Sequence, residues 1–381
     1  MTPRRRRLRT IAVATLAVLA VGLGLGQAFR DVTAPELWVE APDRVAAGET
    51  FELRLSASEP ASYRIVYGDV VVEAVDQDLV VPLAAQVGRL PVRIEAADAA
   101  GNVGSAEVEV EGVAIATVEL TAPERVVAGT PFSVDVALTP SEATVAGLAL
   151  AVDGVARPLH GAGGERWALV AAPLADAPVP NELSLRWRDG LDRPGAAQRR
   201  VAVDRLEAEV QELNVPATTL SVITPEARAL EAETLAAAAP DPADPPRWTE
   251  PFLLPVEGRG SSGFARARRY APGGPVSFHE GEDIAAPTGT PIRATNVGVV
   301  VVAGPYPIKG GMTVIDHGAG VTSRYYHQAR IDVRVGDVVE RGQVIGAVGS
   351  TGLSTGPHLH WEMRVAGVAS DPLAWVDRVR P

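Results

Sequence analysis

Two histidine-containing stretches carry the residues best suited to chemistry. The first is His279-Glu280-Gly281-Glu282-Asp283, and the second is His358-Leu359-His360, about eighty residues further along the chain. If the second stretch is a β-strand, both imidazoles point into one cleft while the leucine points into a core, because side chains at i and i+2 share a face. The first stretch offers an imidazole and a carboxylate four residues apart. Two nitrogen ligands, one oxygen ligand and a position left for water are the ligand set of a catalytic zinc ion. One histidine is then left over to act on a substrate.

Either pair alone is a weak signal, because a histidine four residues from an aspartate is more often a surface hydrogen bond. The chain has six histidines, and four of the five beyond position 270 could converge on one site. The His-x-His stretch is also preceded by Ser354-Thr355-Gly356-Pro357 and followed by Trp361-Glu362-Met363. This combined pattern is longer than chance supplies.

These stretches, together with residues 285–290 and 348–352, resemble the zinc metallopeptidases of the LytM/lysostaphin type, which form peptidase family M23. The resemblance runs from about residue 252 to residue 375. It is specific, because both ligand motifs and the glycine-rich segments between them occur in the order of the family. The resemblance implies a twisted antiparallel sheet with a groove above it, roofed by loops.

The resemblance also implies a role for each histidine of the site. His279, Asp283 and His360 match the zinc ligands, while His327 and His358 match the two catalytic histidines. Zinc lowers the pKa of a bound water towards about 7 and polarises the scissile carbonyl. A non-ligand imidazole can accept the proton of the water or stabilise the oxyanion. The sequence leaves open which of the two histidines does which.

Other polar residues near the motifs are expected to have structural roles. His317, in Asp316-His317-Gly318, reads as a turn residue, and a ligand role for it is disfavoured. Glu280 and Glu282 flank a ligand in a loop and are expected to be solvated. A general-base role is not expected for either, since the chain has no His-Glu-x-x-His helix. Tyr326 could border the groove, although a strand tyrosine is more often part of the packing.

Composition excludes several classes of function. The formal net charge of −12 at pH 7 disfavours nucleic acid as a partner. With no cysteine, the chain can have no disulfide framework and no thiolate nucleophile, so a zinc site must use histidine and carboxylate ligands. Biotinyl and lipoyl carriers have similar glycine-rich hairpins but need a lysine at the hairpin tip. The chain has no lysine after Lys309, so that interpretation fails.

The N-terminus predicts export. Arginines at positions 4–7 and 9 precede an uncharged, mostly apolar run over residues 10–29. Twenty helical residues span about 30 Å, the thickness of a bilayer core, and preceding basic residues place the N-terminus in the cytoplasm. Residues 1–30 are therefore expected to be a signal-anchor or transmembrane segment. A signal peptide cleaved near Gly26-Gln27-Ala28 is the alternative.

An internal repeat follows. The sequence from Ala41 to Phe51 reappears from Ala122 to Phe132, with an offset of 81 residues. Each copy then alternates apolar and polar residues, which is typical of a strand with one buried face. The repeat length and the turn residues predict two tandem Ig-like β-sandwich domains at residues 31–113 and 114–204. They are expected to act as spacers or docking modules.

A linker and the candidate catalytic domain complete the chain. Residues 206–213 and 225–238 have helical composition, and residues 239–246 are proline-rich and cannot be helix. Residues 205–250 are therefore predicted to be a helical and Pro-rich linker, and residues 251–381 an M23-type peptidase domain. Strands are predicted in this domain at 297–303, 312–316, 321–326, 332–335, 344–348 and 359–365. The expected fold class is mainly β.

The resemblance and the export signal together predict an exported zinc-dependent endopeptidase that hydrolyses peptide cross-links or stem peptides of bacterial peptidoglycan. The expected location is the extracytoplasmic cell envelope, with the protein either anchored in the cytoplasmic membrane by the N-terminal helix or released after signal cleavage. The expected partners are a peptidoglycan peptide and the membrane, and a regulatory or divisome-type protein is a further candidate partner. The alternative is a non-catalytic cell-wall-binding protein or an activator of another hydrolase. Such proteins typically lack ligands, whereas all five positions are filled here.

Overall fold

The computed structural model describes residues 31–175, 177–206, 210–212, 220–269, 274 and 276–380. The predicted signal-anchor or signal peptide at residues 1–30 lies outside these residues. Within the described part of the chain, no helix is both long and apolar enough to cross a membrane. The fold is mainly β, as predicted, and it divides into two compact units. The first unit contains residues 31–117, 142–146 and 188–194, and the second contains the other described residues.

The first unit is built on one long strand. Its strands are β1 (Leu37–Glu40), β2 (Arg44–Ala46), β3 (Thr50–Tyr67), β4 (Val70–Ala84), β5 (Gly88–Ala97) and β6 (Val103–Val113). They form a six-stranded sheet in the order β1-β3-β5-β6-β2, with β4 paired to β3. Buried and exposed residues alternate along β3, and its register with β4 shifts between Ser56 and Ala61. Leu53, Ile65 and Val92 are fully buried in the core of this unit.

The second unit begins with a β domain of two sheets. Its strands are β7 (Thr117–Thr121), β8 (Arg125–Val127), β9 (Pro131–Thr139), β10 (Ala146–Val152), β11 (Val155–Arg157), β12 (Glu165–Ala171), β13 (Asn181–Arg188) and β14 (Pro194–Asp204). One sheet has the order β11-β10-β13-β14-β8 and the other the order β12-β9-β7. Val134, Leu185 and Val201 are fully buried in the core of this domain.

The sequence repeat is also visible in the strands. β2 pairs in parallel with β6, and β8, which lies 81 residues after β2 in the sequence, pairs in parallel with β14. In each copy the next strand, β3 or β9, begins at the same repeat position and alternates buried with exposed residues. The alternation predicted after Phe51 and Phe132 is therefore confirmed.

One described segment between the β domains and the C-terminal domain is helical. Helix α1 covers Pro225–Ala237, close to the prediction, and the Thr224 hydroxyl caps it by accepting a hydrogen bond from the Ala227 amide at 3.0 Å. The helical prediction for residues 206–213 is wrong where that segment is described. Gln211–Glu212 is a short strand, β15, which pairs with Arg268–Arg269, and Glu212 forms an ion pair with Arg269. Pairing with a distant strand outweighs local helix propensity here.

The C-terminal domain consists of short strands around one large sheet. After β15 come β16 (Arg259–Ser262), β17 (Ala267–Arg269), β18 (Ser277–Phe278), β19 (Glu282–Ala285), β20 (Pro291–Arg293), β21 (Gly298–Tyr306), β22 (Gly310–Asp316), β23 (Val321–Gln328), β24 (Arg330–Ile331), β25 (Val338–Val339), β26 (Val344–Ala347), β27 (His358–Val365), β28 (Val368–Ser370) and a 3-10 turn at Pro372–Trp375. The large sheet is antiparallel, with the order β16-β19-β27-β23-β22-β21-β25 and β28 paired to β27. Two three-stranded sheets, β15-β17-β18 and β20-β26-β24, accompany it.

Five of the six predicted strands of this domain are confirmed, and they correspond to β21, β22, β23, β26 and β27. The strand predicted at residues 332–335 is wrong, because the chain turns there. The Arg334 amide donates to the Asp337 carboxylate at 2.8 Å, and Gly336 has φ +93°. A turn that needs a left-handed residue and a side-chain cap competes successfully with the apolar alternation.

The large sheet separates a core from the face that carries the histidines. Tyr325 and Trp361 are opposite each other on β23 and β27, and both are fully buried in the core around Phe252 and Trp375. The next pair along these strands, Tyr326 and His360, points to the other face. Alternation along β23 and β27 therefore decides which residues form the core and which meet the site.

Candidate functional site

Two neighbouring antiparallel strands and one loop bring three ligand side chains together. Asp283 on β19 is directly opposite His360 on β27. His279 lies just before β19 and is held by two backbone hydrogen bonds, from the Ala265 amide to its carbonyl and from its amide to the Arg266 carbonyl. The extended conformation predicted for residues 358–360 is confirmed, with Leu359 fully buried on the core side.

His279, Asp283 and His360 form a compact, buried group. The His279 Nε2 lies 3.0 Å from the His360 Nδ1 and 3.1 Å from the Asp283 Oδ1, and the His360 Nδ1 lies 2.7 Å from the same oxygen. All three residues are less than a tenth exposed. One nitrogen or oxygen atom of each residue lies within 4.8 Å of the others, as a shared metal ion requires.

The outer ring nitrogens of His279 and His360 and the second oxygen of Asp283 have their own hydrogen-bond partners, which orient the other donor atoms towards one point. The His279 Nδ1–H donates to the Gly263 carbonyl at 2.9 Å, and the His360 Nε2–H donates to the Glu362 carboxylate at 3.2 Å. Arg268 donates to the second oxygen of Asp283 at 3.1 Å. When both rings are neutral, two imidazole lone pairs and one carboxylate oxygen therefore face one point, which is the ligand set of a zinc ion with an open position.

The electrostatics of the group are those of a cation site. Burial opposes ionisation of Asp283, but its close contacts with the imidazoles of His279 and His360 hold the pKa of this carboxyl well below its usual range. Burial lowers the pKa of His279. Burial also opposes protonation of His360, but Asp283 and Glu362 raise the pKa of its imidazole overall. The raised pKa favours the protonated form of His360, so metal binding competes with a proton for this imidazole.

His327 and His358 flank this group without joining it. Their rings lie 4.8 Å apart between centroids, and the His327 ring lies 6.1 Å from the ring of His360. The His327 Nδ1–H donates to the Thr351 carbonyl and the His358 Nδ1–H to the Gly356 carbonyl, both at 2.8 Å. In each ring the Nε2 is therefore the unprotonated nitrogen. Two imidazoles beside a metal group can accept or return a proton.

His327 has an unusual backbone and environment. Its φ is +62°, a left-handed conformation that is rare for a residue with a side chain. Burial, together with the nearby His360 and His358, lowers the pKa of His327 to about 3. Backbone strain of this kind persists only where surrounding contacts hold it, and it clusters at functional sites.

The site opens into a groove of about 380 Å³. Asp283, His327, His358 and His360 line this groove, together with residues of the 353–357 loop and with Arg268. His327 and His360 also line a smaller cavity of about 150 Å³. The metal group therefore borders solvent-accessible space, which a peptide substrate would need.

Sequence reasoning missed Glu362 as part of the site. Glu362 is fully buried, and it accepts a hydrogen bond from the His360 Nε2–H. It also forms ion pairs with Arg364 at 2.8 Å and Lys309 at 3.6 Å. Burial opposes its ionisation, but Arg364 and Lys309 hold its pKa well below the usual range. The signal was in the sequence, because residues 360 and 362 share one face of a strand.

The structure also decides the predictions for neighbouring residues. Glu282 is buried and accepts a hydrogen bond from the Phe264 amide at 3.1 Å, so its predicted solvation is wrong. β19 pairing turns its side chain towards the 263–264 loop, which sequence spacing does not reveal. Glu280 is exposed, as predicted, and pairs with Arg364 at 2.6 Å.

His317 and Tyr326 have packing roles. His317 is fully buried and hydrogen-bonded to the Val297 carbonyl at 2.7 Å and the Ser323 hydroxyl at 2.8 Å, away from the metal group. The Tyr326 ring stacks on the His360 ring with 5.3 Å between centroids, and the Lys309 ammonium lies 4.5 Å from the centroid of the Tyr326 ring. Tyr326 thus packs against a ligand and also lines the smaller cavity.

Residues 277–372 match the family model described as peptidase family M23. The chain is 44% identical over 109 residues to the peptidoglycan DD-endopeptidase ShyA of Vibrio cholerae, covering 29% of this chain and 25% of that protein. It is 45% identical over 97 residues to the DD-carboxypeptidase/endopeptidase Mpg of Neisseria meningitidis serogroup B, covering 26% and 22% of the two chains. The chain thus spans about a quarter of the length of these curated relatives.

Among solved structures, a putative peptidase M23 from Pseudomonas aeruginosa is 29% identical, with 66% of this chain and 95% of that chain covered and a TM-score of 0.46. The catalytic domain of lysostaphin from Staphylococcus simulans is 33% identical, with 30% and 90% covered and a TM-score of 0.28. The match to the family model coincides with the residues that form the metal group and its two flanking histidines. Through residues 277–372, this chain belongs to peptidase family M23.

Proposed function

We propose that the protein is a zinc-dependent endopeptidase that hydrolyses peptides of bacterial peptidoglycan. The observation that carries this proposal is the convergence of His279, Asp283 and His360 beside two further histidines at an open groove. Binding proteins built on such a domain do not need the two flanking imidazoles. An enzyme does, because a hydrolysis step needs proton transfer as well as a metal.

His279, Asp283 and His360 would hold the zinc ion. When bound, zinc supplies a Lewis acid and lowers the pKa of a coordinated water towards about 7. Asp283 contributes a charged oxygen ligand that the Arg268 guanidinium orients. Glu362 fixes the His360 ring so that its Nδ1 faces the site.

His327 and His358 supply the acid–base and oxyanion functions in this proposal. Each Nδ1–H is donated to a backbone carbonyl, so each Nε2 is free to accept a proton at the groove. One imidazole would accept the proton of the attacking water and return it to the amine leaving group. The other, once its Nε2 has taken up a proton from solvent, would donate a hydrogen bond to the tetrahedral oxyanion. The groove can admit an extended peptide, which suits a flexible cross-bridge or stem peptide.

The proposed substrate and location rest on the relatives. ShyA is named as a peptidoglycan DD-endopeptidase and Mpg as a DD-carboxypeptidase/endopeptidase, so we infer a cross-link between D-amino acids as the substrate bond. We place the protein in the cell envelope, with residues 1–30 as the anchor or signal. The two repeated β domains would be Ig-like sandwiches that act as spacers or docking modules.

Digestion of purified sacculi tests the proposal. Residues 31–381, loaded with zinc, should release fragments whose masses correspond to opened cross-links or trimmed stem peptides. A chelator should abolish release and added zinc should restore it. Sacculi that bind the zinc-loaded protein but release no fragments would instead support the alternative, a cell-wall binder or an activator of another hydrolase.

A further inference from the structure

Helix α1 is connected to the site by one buried carboxylate. Glu231 lies in the middle of the helix, is 4% exposed, and contacts residues more than seventy positions away in the sequence. Its Oε1 accepts hydrogen bonds from two consecutive backbone amides, those of Ile308 at 2.6 Å and Lys309 at 3.0 Å. A buried acid on a mostly exposed helix is rarely retained without a partner.

The turn that Glu231 holds is itself bonded to strand β23 and to the 351–353 loop of the site. The Lys309 carbonyl accepts the amide of His327 at 2.9 Å, and the Ile308 carbonyl accepts the amide of Leu353 at 2.7 Å. Leu353 lines the groove and the smaller cavity. The two residues of the turn therefore donate their amides to Glu231 and accept hydrogen bonds from the site on their carbonyls.

His327 is the residue most in need of such support. Its left-handed backbone, with φ +62°, must be held by surrounding contacts. Its amide is fixed by Lys309 and its Nδ1–H by the Thr351 carbonyl at 2.8 Å. A shift of the 308–309 turn would move the backbone of His327 and, with it, the Nε2 that faces the groove.

Apolar packing places the helix on the same face of the sheet as the site. Leu235 and Ala238 pack against a cluster on the large sheet that includes Val302, Met312 and Tyr326. Tyr326 in turn stacks on His360. The helix therefore contacts the histidine face of the sheet through packing as well as through Glu231.

We propose that Glu231 is a positioning residue for His327 and the 351–353 loop, which makes helix α1 part of the catalytic unit rather than a linker. This inference rests on the proposed function. The carboxylate fixes the 308–309 turn through two charge-assisted hydrogen bonds, which are about twice as strong as neutral ones. Misplacement of a catalytic group by about 1 Å can lower the rate about 10²-fold.

Three variants of the zinc-loaded protein test this role on a purified cross-linked muropeptide. Glu231→Ala should lower kcat by about 10–100-fold, with KM within about twofold and zinc content unchanged, because no group that binds metal or substrate is removed. Glu231→Gln keeps an acceptor oxygen without the charge, so its kcat should lie between those of the alanine variant and wild type. Glu233→Ala, at an exposed position on the same helix, should behave as wild type.

Turnover by folded, zinc-loaded Glu231→Ala protein within twofold of the Glu233→Ala protein would overturn the proposal. If the alanine variant fails to fold, Glu231→Gln decides. Its kcat should then lie about three- to tenfold below wild type because its hydrogen bonds are weaker, and wild-type kcat in that variant would overturn the proposal. Failure of the wild-type protein to cleave would refute the proposed function instead, so the two failures are distinguishable.

Discussion

Single hydrogen bonds decide which nitrogen of each histidine is available. His279, His327 and His358 donate Nδ1–H to backbone carbonyls and leave Nε2 free, whereas His360 donates Nε2–H to Glu362 and leaves Nδ1 free. These tautomers follow from acceptors that have no proton to give. Ligand identity alone would not reveal them, and the positions of the outer partners are as important to the site as the ligands.

Glu362 is expected to control zinc affinity through His360. Glu362→Gln weakens the bond that orients the imidazole and lowers its basicity, so the zinc dissociation constant should rise about 10–100-fold. His360→Ala, which removes a ligand, should raise it further. Competition with a chromophoric chelator measures both constants.

Glu280→Gln is the matched control for that experiment. Glu280 pairs with Arg364 in the same charge cluster but is exposed, and it has no hydrogen bond to His360. The zinc affinity of the Glu280→Gln protein should equal that of wild type. Equal losses of affinity for Glu280→Gln and Glu362→Gln would show that the cluster acts through its net charge and not through the His360 bond.

At the scale of elements, strand alternation on β23 and β27 places Tyr325 and Trp361 in the core and Tyr326 and His360 at the site. The turn between β22 and β23 is held by His317, whose two ring nitrogens bond the Val297 carbonyl and the Ser323 hydroxyl. Burial lowers the pKa of His317 to about 4. The fold therefore depends on this histidine being neutral.

The stability of the C-terminal domain should fall as the pH falls below about 6.5. The folded pKa of His317 lies below its unfolded value, so the unfolded state binds a proton first and stability is lost from about pH 6.5 down to about pH 4. His317 alone should lower the free energy of unfolding by about 3 kcal/mol over this range. Denaturant unfolding at several pH values measures it. His317→Gln should lack this part of the pH dependence, and an unchanged profile in that variant would contradict the assignment.

The local sequence pattern predicted most of these elements correctly. The predictions failed where a distant partner determines the local structure. The spacing in residues 358–360 correctly predicted one shared face, because alternation is a local property. Three predictions were wrong because partners outside the local pattern decide the structure. A loop amide binds Glu282, a side-chain cap forms the turn at 332–335, and a distant strand pairs with β15. The role of Glu231 could not be read from the sequence, since its partners lie about 77 residues away.

At the scale of the whole molecule, the second β domain and the C-terminal domain share one compact unit. Leu169 and Ala171 of β12 belong to the core cluster that contains Phe252 and Trp375. The Trp167 ring lies 6.4 Å from the ring of Trp248. The Arg380 guanidinium lies 4.9 Å from the ring of Trp167 and 3.1 Å from the Asp135 carboxylate. These contacts predict that the two domains unfold together.

Trp167→Ala tests this coupling. Loss of a partly buried tryptophan should lower the free energy of unfolding by about 2–3 kcal/mol, somewhat less than a fully buried one, and should shift one shared calorimetric transition. Trp38→Ala, at a position that is 47% exposed, should cost under about 0.5 kcal/mol. Separate transitions for the two domains in the wild-type protein would contradict the prediction.

The most direct test of the central claim is the turnover of His327→Ala and His358→Ala proteins, measured alongside their zinc content. Neither histidine is assigned to the metal, so both variants should fold and keep zinc. Each should lose about 10²–10⁴-fold in turnover on a cross-linked muropeptide, which is roughly 3–5 kcal/mol of barrier. Since both act in one transition state, the double variant should be little slower than the slower single variant. Full cleavage by both zinc-loaded single variants would contradict the account.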